Sequence, residues 1–204
     1  MPEASIFKFS KSSKMLKLNV NVPTDLSELA RRIQDKVRAN PELMAAVGSA
    51  AEITLRSHFE TLNRRPNKRG FHKTNFWAKI ESATSMTSSS AKTATVTIAD
   101  DRFGAKVSGA VITPKSGKAL AIPLTDEAYG KWPAQWDKAA LQLIPRKGKP
   151  PILATIDDND EIRAQYVLLR RVTTPADPDA LPSEHSFWEH VLDEADEYFK
   201  SMEL

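Results

Sequence analysis

The chain has 204 residues, with 29 Lys and Arg against 26 Asp and Glu, four histidines and no cysteine. Its length and 41% hydrophobic content suffice for a substantial core, while the missing cysteine excludes disulfides and thiolate metal sites and a net charge of +3 is too small to announce a nucleic-acid partner by itself. The stretch MPEASIFKFSKSSKMLK lacks the apolar region of a secretion signal, and no later segment approaches the run of about 18 apolar residues that spans a bilayer, so a soluble protein made in the cytoplasm is expected.

In chain order, Leu16, Leu18, Val20 and Val22 alternate with Lys17, Asn19 and Asn21 as in a half-buried strand that Pro23 stops. Thr24 is a cap candidate before Asp25 and Glu28, and Leu26, Leu29, Ala30, Ile33 and Val37 form one apolar stripe, predicting a helix over about residues 25–39. Asn40-Pro41 then restarts the pattern with a capping residue and a proline at the first helical position. Leu43, Val47, Ala51, Leu55, Phe59 and Leu62 carry this second helix to about residue 62. The following NRRPNKRGFHK breaks it at Pro66 and Gly70 and places Arg64, Arg65, Lys68, Arg69 and Lys73 in one exposed basic loop without an acid.

Thr74-Asn75 are positioned to cap a short helix bearing Phe76, Trp77 and Ile80, after which the Ser/Thr-rich stretch 82–90 reads as a solvated loop. Thr93–Ala99, Ala105–Thr113 and Ala119–Leu124 are β-type runs, the last two joined by Pro114–Lys118 as a hairpin turn. Ile152–Ile156 and Ile162–Val172 flank a polar turn at Asp157–Asp160, and three prolines with two aspartates make residues 173–182 an extended linker. Ser183 and Glu184 open a terminal helix that places Phe187, Val191, Leu192, Ala195 and Phe199 near one face. Its seven acids against Lys200 mark it as a peripheral acidic element. The class expected is α+β: N-terminal helices packed on a mostly antiparallel β-sheet with a projecting hairpin and a C-terminal helix. The expected division is one domain over residues 1–182 followed by the acidic helix over 183–204.

Catalytic constellations are not apparent. His58, His72, His185 and His190 form no ligand spacing, His58 reading as a packing histidine and His72 as a surface one. Lys118 follows Gly117 without the earlier glycine and the Ser/Thr of a phosphate-binding loop, and no GxSxG elbow surrounds a serine. Asp100-Asp101 and Asp157, Asp158 and Asp160 lie between strand-like runs, where turn geometry alone favours aspartate. No catalytic, cofactor-binding or metal-ligating residues are therefore expected, and the protein is not read as an enzyme. The basic loop remains, with Phe71, Phe76 and Trp77 as stacking candidates beside it. Its partner is nucleic acid or an acidic protein surface, and the acidic helix on the same chain favours protein contact.

Three segments carry a resemblance. GAVITPKSGKALAIPL, residues 109–124, has Ile112, Pro114 and Lys115 in a strand with Ile-x-Pro-Lys that turns into Leu-x-Ile-Pro at Leu120, Ile122 and Pro123. HFETLNRRPNKRGFHKTNFWAKI, residues 58–80, and YVLLRRVTTPADPDALPS, residues 166–183, follow the order and approximate spacing of the same pattern. Together they resemble the virion-morphogenesis and tail-completion proteins of tailed bacteriophages over roughly residues 43–185, with one departure: Ser108-Gly109-Ala110 stands where that family carries paired glycines.

The resemblance implies a structural protein of a phage or prophage acting in tail completion or head-tail joining. Such a protein is present in the bacterial host cytoplasm during assembly and then in the tail or neck of the virion. It would join an oligomeric ring and contact tail or head-tail connector proteins, with no cofactor and no membrane. The expected contact residues are the loop cations, together with Ile112, Pro114, Lys115, Lys118, Leu120, Ile122 and Pro123. Trp132 and Trp136 are the chief apolar surface candidates. They predict a modest interface, with the isolated protein largely monomeric or weakly associated. The alternative is a DNA-binding accessory protein that uses the loop over residues 64–73.

Overall fold

The computed structural model describes residues 8–12, 15–20, 41–90, 92–115, 117–137 and 140–202, so the helix expected over 25–39 and the cap expected at Asn40 lie outside the described residues. The chain divides into two compact units, one gathering Met1–Arg64, Asn75–Ser108 and Asp177–Leu204, the other Arg65–Thr74 and Gly109–Ala176. Both are built of antiparallel strands, with all the long helices in the first, so the class is α+β.

In the first unit, apolar side chains recurring every three or four residues fold helix α1 (Pro41–Arg64) and bury Leu43, Val47, Ala51, Leu55, Phe59 and Leu62. The sheet beneath has the order β1-β2-β4-β3, with β1 (Lys8–Ser12), β2 (Met15–Val20), β3 (Thr84–Ser89) and β4 (Ala94–Ile98) all antiparallel. α1 crosses β3 and β4 at Gly48, where an added Cβ would lie 2.8 Å from the Ala94 Cβ and would also strike the Met86 sulfur. A side chain there would push helix and sheet apart.

Three shorter stretches differ from the sequence reading. The Ser/Thr stretch expected to be a loop is the edge strand β3, in which Thr84 is buried and Ser85, Thr87, Ser88 and Ser89 are exposed. Small hydroxyl side chains suit the wet side of an edge strand but leave no apolar alternation to read. Helix α2 (Phe76–Ser82) forms as expected, yet Asn75 makes no side-chain cap; it sits at φ 52° and ψ 35°. Residues Ala105–Ser108, expected to begin a strand, lie instead in helix α3 (Phe103–Ser108), opened by Asp100, whose Oδ1 accepts the Arg102 amide at 2.8 Å.

Helix α4 (Glu184–Met202) is not peripheral. Phe187, Trp188, Val191 and Ala195 are buried in the core of α1, β4 and α3, because four large or well-spaced apolar residues on one side outweigh an acidic exterior. The Ser183 hydroxyl accepts the Ser186 amide at 3.2 Å, which caps the helix at the expected place. His58 bridges elements of this unit by donating its Nε2–H to the Asp179 carbonyl at 2.9 Å.

The second unit is a sheet in the order β6-β9-β8-β7, made by β6 (Leu120–Pro123), β7 (Gln142–Arg146), β8 (Lys149–Ile156) and β9 (Ile162–Leu169). A two-stranded ribbon of β5 (Ala110–Ile112) and β10 (Val172–Thr174) accompanies it. The expected hairpin is absent, since β5 and β6 do not pair with each other. β5 pairs with β10, matching Ile112 to Val172, and β6 pairs with β9, matching Leu120 to Leu169. The reason is length: α3 leaves β5 only three residues, too few for a stable hairpin, whereas the run 162–174 offers a long edge to both pieces. The loop 113–119 is thus an insertion in one antiparallel ribbon, opposite only Arg170 and Arg171.

Candidate interaction surface

Charge is unevenly divided. The second unit holds fourteen Lys and Arg against seven Asp and Glu, while the remainder of the chain holds fifteen against nineteen. A small overall excess of +3 therefore conceals a strongly basic β unit.

Strand register locates that charge within the sheet. Ile152 faces Val167, so Lys149, three residues earlier, comes to the end of the sheet where Arg170 follows β9. Arg146 faces Lys149 across the tight turn at Lys147-Gly148, which Gly148 permits at φ 70°. Leu120 faces Leu169, which brings Lys115 and Lys118 of the inserted loop to the same end. Seven exposed cations, Lys115, Lys118, Arg146, Lys147, Lys149, Arg170 and Arg171, thus share one end of the sheet with no acid in the segments that carry them. Arg146 is oriented by its Nε–H, which donates to the Pro150 carbonyl at 2.8 Å.

The opposite end carries Asp157, Asp158, Asp160 and Glu161 in the β8–β9 turn. Asp157 Oδ1 accepts the amides of Asn159 and Glu161, both at 2.9 Å, and Asp160 adopts φ 62°. These carboxylates hold the turn together, as aspartate does in tight loops.

The basic loop is fastened rather than free. Asn67 accepts the Arg69 amide at 2.9 Å, and the Arg69 guanidinium donates to the Pro123 carbonyl at 3.5 Å. His72 donates both its amide and its Nδ1–H to Asp126, the latter at 2.8 Å, and the rings of Phe71 and His72 lie against Tyr129. The His72 amide, followed by its ring, holds the Asp126 carboxyl below its ordinary value. Arg65, Lys68, Arg69 and Lys73 remain exposed. Arg64, the last residue of α1, pairs with Glu60 at 2.6 Å.

Of the residues expected at the surface, Arg69 and Pro123 are brought together and Lys115 and Lys118 join the basic end. Leu120 and Ile122 are partly buried in β6, while Ile112 is 44% exposed and Pro114 half-buried in the inserted loop. Phe76 and Trp77 are not available for base stacking: Trp77 stacks on Phe59 with centroids 6.0 Å apart, and Phe76 lies under Arg102 and Lys106. Trp132 is 75% exposed, whereas Trp136 is half-buried and hydrogen-bonded. Sequence reasoning missed Arg146, Lys147, Lys149, Arg170 and Arg171; the visible signal was two short cation runs bordering β-type segments.

Among the described residues no three His, Asp or Glu side chains gather as a metal-binding group, and no helix is long and apolar enough to cross a membrane. No known protein family matches the chain, and no curated protein or solved structure is similar enough to match it.

Proposed function

We propose that this protein is a structural component of a tailed phage or prophage, acting in tail completion or head-tail joining through a ring of copies and contacts with neighbouring tail or connector proteins. On this reading it works in the bacterial host cytoplasm during assembly and stays in the tail or neck of the virion. The three sequence segments that resemble the tail-completion proteins support it. One structural observation carries the contact role: of the eight large apolar residues exposed to solvent among the described residues, seven, Val111, Ile112, Leu124, Trp132, Leu143, Ile156 and Ile162, fall in the basic unit, the eighth being Ile53 on α1. Exposed apolar groups ringed by charge are what a protein interface requires.

Deleting the gene from an inducible parent phage tests this. Filled heads and tails that fail to join, with normal lysis and DNA replication, are expected in electron micrographs of the lysate. Infectious particles would refute the assignment, and empty heads alone would move the protein to DNA packaging. The excess of cations in the second unit favours DNA binding as the second reading, for which affinity for a duplex would fall steeply with salt.

A further inference from the structure

Seven like charges at one end of a small sheet repel one another, and none of the seven has an ion-pair partner among the described residues. The complementary feature lies on helix α4. With Phe187, Trp188, Val191 and Ala195 turned into the core, its outer side presents Glu189, Asp193 and Glu197, with Glu194 at the flank, all exposed. Glu189, Asp193 and Glu197 recur every four residues and so form one line. Lys200 offsets little of this charge, being paired to Asp196 at 2.6 Å.

We infer that the basic end of the β unit docks on the acidic outer side of α4 in a second copy of this chain, head to tail. The dimensions fit: the line from Glu189 to Glu197 is about 12 Å long at the helical rise, and the end of a four-stranded sheet is about 14 Å wide at the usual strand spacing. Each copy has both faces exposed, so every contact leaves one basic and one acidic face free for the next. A repeated heterologous contact of this kind closes a ring when the rotation allows. The inference rests on the proposed assembly role and gives the contact between copies. A duplex would meet the same cations but has no use for the acidic line on α4, which a second copy engages.

The test is charge exchange in the full-length protein, measured by sedimentation over a range of concentration and salt. One variant carries Lys147→Glu, Lys149→Glu and Arg171→Glu; the other carries Glu189→Lys, Asp193→Lys and Glu194→Lys. All six positions are exposed, and circular dichroism checks the fold. Parent self-association should weaken with salt, each variant alone should associate at least about tenfold more weakly, and an equal mixture of the two should recover the parent affinity. A sheet-end variant that associates as the parent does would overturn the inference, as would a mixture without recovery or a parent that shows no association at low salt. Loss of duplex binding by the sheet-end variant with unchanged self-association would also overturn it, assigning those cations to DNA. None of these outcomes bears on the deletion phenotype, which tests the assembly role separately.

Discussion

The indole nitrogen of Trp136 donates to the hydroxyl of Tyr166 at 2.9 Å, and that hydroxyl in turn lies 3.1 Å from the Lys131 carbonyl and 3.2 Å from that of Ala128. Tyr166 is 1% exposed at the middle of β9, so one phenol fixes the whole segment 128–136 onto the sheet. Tyr166→Phe removes the acceptor for Trp136 and the donor for both carbonyls without changing volume. It should cost about 1–2 kcal/mol in chemical denaturation and shift tryptophan fluorescence toward that of a wetter indole. Unchanged stability and emission would mean the segment is held by packing alone.

Gly48 makes the opposite kind of demand, for the absence of a side chain. In an isolated helix Ala is better than Gly by about 1 kcal/mol, yet Gly48→Ala should destabilise the protein by about 1–3 kcal/mol because the new methyl meets Ala94, whose Cβ is fixed by β4. Thermal unfolding measures this. A variant more stable than the parent would show that α1 and β4 do not approach so closely.

Trp188 is 8% exposed, and its Nε1 is buried without a hydrogen-bond partner among the described residues. Trp188→Phe discards that unsatisfied donor while keeping most of the apolar bulk, and should change stability by no more than about 1 kcal/mol. Trp188→Ala should cost about 3–5 kcal/mol through the cavity it leaves. A loss on Trp188→Phe as large as that on Trp188→Ala would mean the indole nitrogen has a partner.

Asp126 gives the basic loop a pH-dependent fastening. Its carboxyl is held below its ordinary value in the folded state, so it favours the folded loop above that ordinary value. The effect is lost as pH falls through the depressed folded value. At neutral pH, Asp126→Ala should speed hydrogen exchange at the His72 amide several-fold while leaving the sheet amides unchanged. Equal exchange in variant and parent would show that the loop is held elsewhere.

What sequence reveals here follows from how local each signal is. The stripe from Leu43 to Leu62 and the runs around Ala154 and Tyr166 announce themselves because helix and strand periods are written in neighbouring residues. Ala105 and Val107 look like strand because nothing nearby shows that Phe103 will be buried in the core. The acidic exterior of α4 similarly masks Phe187 and Trp188. The basic end of the sheet is the least legible feature. Lys118, Lys147 and Arg171 belong to three separate turns, and only the pairing of Leu120 with Leu169 and of Ile152 with Val167 brings them together.

The interleaving of the two units imposes an order on synthesis. The stretch 109–176 that builds most of the β unit leaves the ribosome as one continuous piece, before Phe187 and Val191 have been made. The first unit must wait with the part of α1 that packs against α4 uncovered until the last helix emerges. A chain cut short in translation near residue 176 would therefore carry a nearly complete β unit beside an unfinished core, open to chaperones and proteases and lacking the carboxylates of α4.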